Sequence, residues 1–260
     1  MPRMFTLFPL IYERKVFTTA EAMKKTGLPM DRLFKQLAYF QKAGLLHKIR
    51  RGLYVPAPYG TGVPAERVSP YLVASKLREA YVLSYHTALE LHGVAQSAFY
   101  EVYVTTPSPF RPFSFQDVTY RSIKAKPGDL AISHTSTTVE DEVVRLSNRE
   151  WTIAQCALRL EYAGGLEEYL KSVAGFSYVK VEQLYSAAVV LGRKTLFNKL
   201  GFVLSQFKDR WKITDEDLRR FRSAKAKHVQ YFGTKPGRGR FVKEWNLMVP
   251  DNLEQVVPLA

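Results

Sequence analysis

The sequence predicts an α+β protein: an N-terminal winged helix-turn-helix followed by a mixed domain with a small antiparallel sheet and several C-terminal helices. Three observations carry this expectation. Residues 18–55 read as two short helices joined by a Gly-Leu-Pro turn, then two short strands around an Arg-Arg-Gly tip. Residues 99–146 contain runs that alternate apolar and polar, the period of a strand with one face buried. From Glu150 onward, apolar residues recur at the helical period and Gly or capping residues interrupt them.

Within the N-terminal part, Met4–Arg14 is expected to be helical, with Phe5, Phe8 and Tyr12 at helical spacing and Pro9 as a kink or late start. Thr18 or Thr19 caps a second helix, whose early Glu21 suits the positive end of the helix dipole. Gly27 ends it and Pro29 prevents its continuation. Asp31 opens a third helix, as cap or in its first turn. There Leu33, Leu37 and Phe40 recur at i, i+4 and i+7 and form the core face, with Phe34 and Ala38 widening the stripe. The opposite face carries Arg32, Lys35, Gln36, Tyr39 and Lys42, donor-bearing side chains able to reach phosphates or base edges. Gly44 closes the helix. Leu45–Ile49, including Lys48, and Leu53–Val55 then form a hairpin whose tip, Arg50-Arg51-Gly52, suits a wing that touches phosphate or enters a minor groove. The Pro/Gly-rich stretch from Pro56 to Pro64 marks the boundary between a DNA-binding domain, residues 1–58, and an α+β domain, residues 65–260.

In the larger part, helices are expected at Val68–Leu77 and over SYHTALELHG, capped by Ser84 and ended by Gly93. Strands are expected at Phe99–Thr105, Val118–Ile123 and Glu142–Leu146, with the Pro-rich PSPFRPFSF between the first two. Later helices are expected at Trp151–Tyr162, Leu166–Val173, Val181–Leu191, Thr195–Phe207 and Leu218–Ala226. The last opens on the capping box Thr214-Asp215-Glu216-Asp217.

Charge narrows the functional classes. The net charge of the 260 residues is +14. Residues 1–60 carry 11 Lys and Arg against 3 Asp and Glu, and residues 190–245 carry 15 against 5, with a near-neutral middle between them. Two basic ends point to two polyanion-facing surfaces. The second consists of Arg219, Arg220, Arg222, Lys225 and Lys227, several of them expected on one outer helix face, with Lys235, Arg238 and Arg240 in a Gly-rich basic loop. That loop lacks the Gly-Lys-Ser/Thr ending of a phosphate-binding loop. No apolar run approaches the roughly 20 residues of a membrane span. A single cysteine, Cys156, excludes an internal disulfide and fits a reducing cytoplasm.

No catalytic or metal constellation is expected, and no cofactor. His86 and His92 stand six apart on a helix and point in different directions, a poor metal pair. Cys156 lies in an amphipathic helix and reads as a small buried apolar residue. Glu140-Asp141-Glu142 reads as a solvated charge run, because consecutive strand residues alternate faces.

Several segments, taken in order, resemble one known family. They are the helix-turn-helix with its hairpin, SYHTALELHGV, the strand ending in VTTP, LSNREWTIAQCALRLEYAGGLEEYL and NKLGFVLSQF. Together they are similar to the AbiEi antitoxins of type IV toxin–antitoxin systems, over roughly Phe17 to Met248. The most specific pieces are Ala88–Gly93, Glu150-Trp151-Thr152-Ile153 and Tyr162–Glu168. The chain departs from the family at Trp151 and Gln155, where members often carry Arg and Asp. The resemblance implies a non-enzymatic, cytoplasmic repressor that binds inverted repeats in double-stranded DNA of its own operator. It also implies an antitoxin countering a nucleotidyltransferase-like toxin without a stable complex. The residues alone leave open a nuclease targeted by the N-terminal unit, an RNA or tRNA binder, and the oligomeric state.

Overall fold

The computed structural model describes residues 7, 15–57, 67–125, 130, 133–235 and 238–253. The helix expected at Met4–Arg14, the connector from Pro58 to Pro64, and Pro236-Gly237 of the basic loop lie outside these residues, apart from Leu7, which is buried.

The N-terminal unit runs β1 (Phe17–Thr18), α1 (Thr19–Thr26), α2 (Met30–Lys42), β2 (Leu46–Arg50) and β3 (Leu53–Pro56). Its three strands form an antiparallel sheet in the order β1-β3-β2. Thr18 is the N-cap of α1: its hydroxyl accepts from the Glu21 amide while the Glu21 carboxylate accepts from the Thr18 amide, so two orphan donors are satisfied together. Gly27 ends α1 in the left-handed conformation at φ 64°, and Asp31 falls in the first turn of α2. Leu33, Leu37 and Phe40 turn inward onto Phe17, Ala22, Leu46 and Tyr54 as their spacing requires. Phe34 and Ala38 do not join them, since Phe34 is 46% exposed and Ala38 is exposed. Both lie beyond the edge of the three-residue core stripe.

The remainder is α+β. It begins with α3 (Pro70–Ser75), β4 (Val82–Leu83), α4 (His86–Leu91), β5 (Glu101–Thr106), β6 (Phe113–Phe115), β7 (Val118–Lys124), β8 (His134–Val139) and β9 (Glu142–Ser147). The strands form one sheet in the order β6-β7-β5-β4-β9-β8. The β4/β5, β6/β7 and β8/β9 pairs are antiparallel, and β4, β6 and β8 are strands the alternation did not mark. The β5/β7 and β4/β9 pairs are parallel, so the sheet is larger and more mixed than the alternation alone implied. The helices that follow are α5 (Arg149–Leu158), α6 (Gly165–Ala174), α7 (Val181–Leu191), α8 (Lys194–Gln206), α9 (Lys208–Trp211) and α10 (Asp215–Ala224). A three-stranded sheet of β10 (Gln230–Tyr231), β12 (Leu247–Val249) and β11 (Arg240–Val242) closes the chain. The Thr214–Asp217 capping box forms as the sequence implied. No helix among the described residues is long and apolar enough to cross a membrane.

The two parts share a core. Val16 and Leu53 of the N-terminal unit pack with Leu72, Val73, Ala74 and Leu77 of α3 and its exit, alongside Val102, Val104 and Tyr120 of the sheet. Lys76, only 14% exposed at its side chain, bridges Glu21 of α1 at 2.8 Å and Glu142 of β9 at 2.7 Å. Burial alone would lower the Lys76 pKa, but the two carboxylates outweigh it and hold it above its ordinary value. The hairpin is thereby fixed against the larger part rather than projecting from it.

Candidate nucleic-acid interface

A cleft opens between α2 and the β2–β3 hairpin, and the cations that line it come from the hairpin. The cleft, about 770 Å³, is lined on the helix side by Met30, Phe34 and Ala38 and on the hairpin side by Lys48, Arg51 and Tyr54. On α2, Arg32, Lys35, Tyr39 and Lys42 are exposed, with Tyr39 at 54%. Gln36 is half-buried and engaged with its surroundings. The charged side lies opposite the Leu33–Leu37–Phe40 stripe, where the helical period puts it.

The hairpin tip separates the two arginines. Arg51 is exposed and turns into the cleft. Arg50 turns the other way, with its guanidinium 4.8 Å from the centre of the Phe113 ring and 5.5 Å from that of Phe110. Its Nη1 is buried and makes no hydrogen bond among the described residues. Burial lowers the Arg50 pKa, and the nearby Arg78, itself 5.3 Å from the Phe110 ring centre, lowers it further. The expectation that Arg50 is a free, DNA-facing wing cation is therefore corrected.

A bulge sends Arg50 to the side away from Lys48. Lys48 pairs with Tyr54, but the next pair is Arg50 with Leu53, so β2 carries one extra residue there. Lys48 shares a face with Tyr54, toward α2, whereas Arg50 shares a face with Leu53, toward the larger part. Simple alternation would have put Lys48 and Arg50 on one side.

In the second basic cluster Arg219, Arg220 and Arg222 are exposed while Leu218 and Phe221 are buried, and acidic partners engage part of the charge. Arg220 pairs with Glu182 of α7 and stacks 3.9 Å over the Tyr185 ring. On the other flank, Arg222 pairs with Glu244 and lies over Trp245, and Lys225 donates to the Glu244 carbonyl. Arg219 is exposed, with its Nε donating to the Asp215 carbonyl. Lys227, Lys235 and Arg238 are exposed, and Arg240 is half-buried in β11. Local ion pairs thus consume part of the charge that the composition placed here.

The other titratable groups are held by packing. His86 is fully buried, stacked on Phe99, with Nε2 3.1 Å from Glu168 Oε1. His92 Nε2 lies 2.9 Å from the Ser147 carbonyl, and burial lowers its pKa. Glu168 also accepts from the Gln96 and Ser97 amides and the Ser97 and Ser172 hydroxyls. Burial would raise its pKa, but these donors hold it below the ordinary carboxylate value. Cys156 is fully buried, and burial pushes its thiol up. No three His, Cys, Asp or Glu side chains converge as a metal site among the described residues.

This geometry belongs to an α+β fold with a solved counterpart. The chain is similar to the crystal structure of the RV2827C protein from Mycobacterium tuberculosis, with a TM-score of 0.63 at 15% identity, covering 100% of this chain and 95% of that one. At that identity the likeness concerns the fold. No family model matches the sequence, and no curated protein matches it significantly.

Proposed function

We propose that this protein is a DNA-binding autorepressor. Its N-terminal unit acts as a winged helix-turn-helix, with α2 in the major groove and the β2–β3 hairpin as the wing. The observation that carries this reading is the exposure of Arg32, Lys35, Tyr39 and Lys42 on α2 beside an open cleft whose hairpin side carries Lys48 and Arg51. Backbone phosphates meet such cations from two elements at once, and base edges meet the donors of the helix. Exposed Met30, Phe34 and Ala38 add apolar groups able to contact thymine methyls. The resemblance to the AbiEi antitoxins extends the proposal. The DNA is the protein's own operator, with inverted repeats, and the larger part opposes a nucleotidyltransferase-like toxin without a stable complex and without catalysis of its own.

A gel-shift titration against duplex DNA from upstream of the protein's own reading frame tests the first part. Binding that falls steeply with salt, and that resists competition by tRNA, supports it. Equal or tighter binding to tRNA would replace it with an RNA-binding reading. For the second part, expressing the chain beside a nucleotidyltransferase-like toxin should restore growth, and a toxin that still arrests the cell would overturn the antitoxin role.

A further inference from the structure

We infer that β8 is the seam of a two-fold dimer, in which the β8 strands of two copies pair antiparallel. The inference does not rest on DNA binding.

The six-stranded sheet ends in two unlike edges. At one end, β6 is three residues long, follows Pro112, and stacks Phe113 on Tyr120. A short edge bounded by proline is guarded against further pairing. At the other end, β8 is six residues long, His-Thr-Ser-Thr-Thr-Val, with neither proline nor Lys, Arg, Asp or Glu. Its register with β9 runs unbroken from His134↔Ser147 to Val139↔Glu142, so no bulge twists it away. His134, Thr135, Ser136 and Thr138 are exposed. Among the described residues this edge lacks the usual protections, and its hydroxyl-bearing side chains suit cross-strand pairing.

The charges at the two ends of β8 choose the partner. Beyond Val139 the chain turns through Glu140 and Asp141, both exposed and both at positive φ. Glu140 is paired with Lys15, and Asp141 has no ion pair among the described residues. Beside His134 lies the start of α5, where the Asn148 amide donates to the Ser133 carbonyl. A polar cleft of about 440 Å³ opens there, lined by Thr135, Thr137, Arg149 and Lys180, and also by Glu150, which accepts from the Lys180 amide. Arg149 stacks 3.9 Å over Tyr178, and its buried Nε finds no acceptor among the described residues.

One end of the strand is therefore acidic and the other basic. Antiparallel pairing centred on Ser136, where a two-fold axis normal to the sheet keeps opposed residues on one face, sets His134 of each copy against Thr138 of the other. The acidic turn of each then lies beside the Arg149–Lys180 end of its mate, and the two-fold axis makes the contact twice. An arbitrary strand added to this edge would match neither end.

Sedimentation equilibrium of the full chain across a range of concentrations, without DNA, tests the inference. The native protein should show a reversible monomer–dimer equilibrium. Ser136→Lys should raise its dissociation constant by about tenfold or more, because the two lysines then oppose each other across the two-fold axis. Thr135→Lys, on the opposite face of the strand, sets the two lysines diagonally across the seam and should weaken the dimer too, and circular dichroism checks that both variants fold. Lys180→Glu should also weaken the dimer, and adding Asp141→Asn should recover part of that loss by removing the new repulsion. A native chain that stays monomeric, or a dimer indifferent to both lysine variants, would overturn the proposal.

Discussion

Arg50 and Phe113, far apart in sequence, form a guanidinium-over-ring contact with 4.8 Å between the charge and the ring centre. This contact turns one of two adjacent arginines into a fastener between the hairpin and the larger part. The other, Arg51, remains exposed beside the cleft. Neighbours in the chain thus have separable roles.

Arg50→Ala should cost about 1 kcal/mol of stability, through lost cation–π attraction and lost packing of its stem, read from chemical denaturation. The salt dependence of DNA binding should barely change. Arg51→Ala and Lys48→Ala should leave stability within about 0.5 kcal/mol and each reduce the slope of log K against log salt by about 1. An Arg50→Ala variant with the reduced slope and full stability would reverse these roles.

Lys76 links stability to pH at both ends of the scale. The Lys76 and Thr18 bonds hold the Glu21 pKa below its ordinary 4.5, against a burial effect that would raise it. Its stabilising share is complete above 4.5 and is lost as pH falls through the lower folded value. The Lys76 pKa is raised above 10.5, so its share is complete below 10.5 and is lost as pH rises through the folded value. Lys76→Ala should cost about 1–2 kcal/mol near neutrality, less than a fully buried pair because Glu21 is about a third exposed. The gap between variant and native protein should close in acid. Urea midpoints measured at acidic and neutral pH check this, and a gap that persists in acid would count against it.

Glu168 gathers five donors from three segments: the His86 ring nitrogen, two amides and two hydroxyls. Glu168→Ala should cost about 2–4 kcal/mol, since buried donors lose their acceptor. Glu168→Gln should recover part of this, because its carbonyl oxygen still accepts. Thermal denaturation distinguishes the two variants, and equal loss in both would indicate that the ionised carboxylate itself is required.

Much of the fold was legible in the sequence because it rests on local rules. The Thr18 cap, the Gly27 stop, the Leu33–Leu37–Phe40 stripe and the Thr214–Asp217 box each depend on residues within one or two turns of one another. The chain alone therefore determined where those elements start, which way they face, and which side of α2 carries charge. Parallel pairing of β5 with β7 escaped, because alternation shows that a strand exists but not its neighbour. Only tertiary structure decided the fates of Phe34, Arg50 and the C-terminal cations. Phe34 stays exposed because the core stripe is complete without it, while a bulge in β2, Phe110 and the β6 residue Phe113 claim Arg50. Glu182 and Glu244 neutralise Arg220 and Arg222 from elements that no short-range pattern brings near. Periodicity and capping act between neighbours in the chain, whereas the direction of a charge depends on partners that meet it only once the chain has folded.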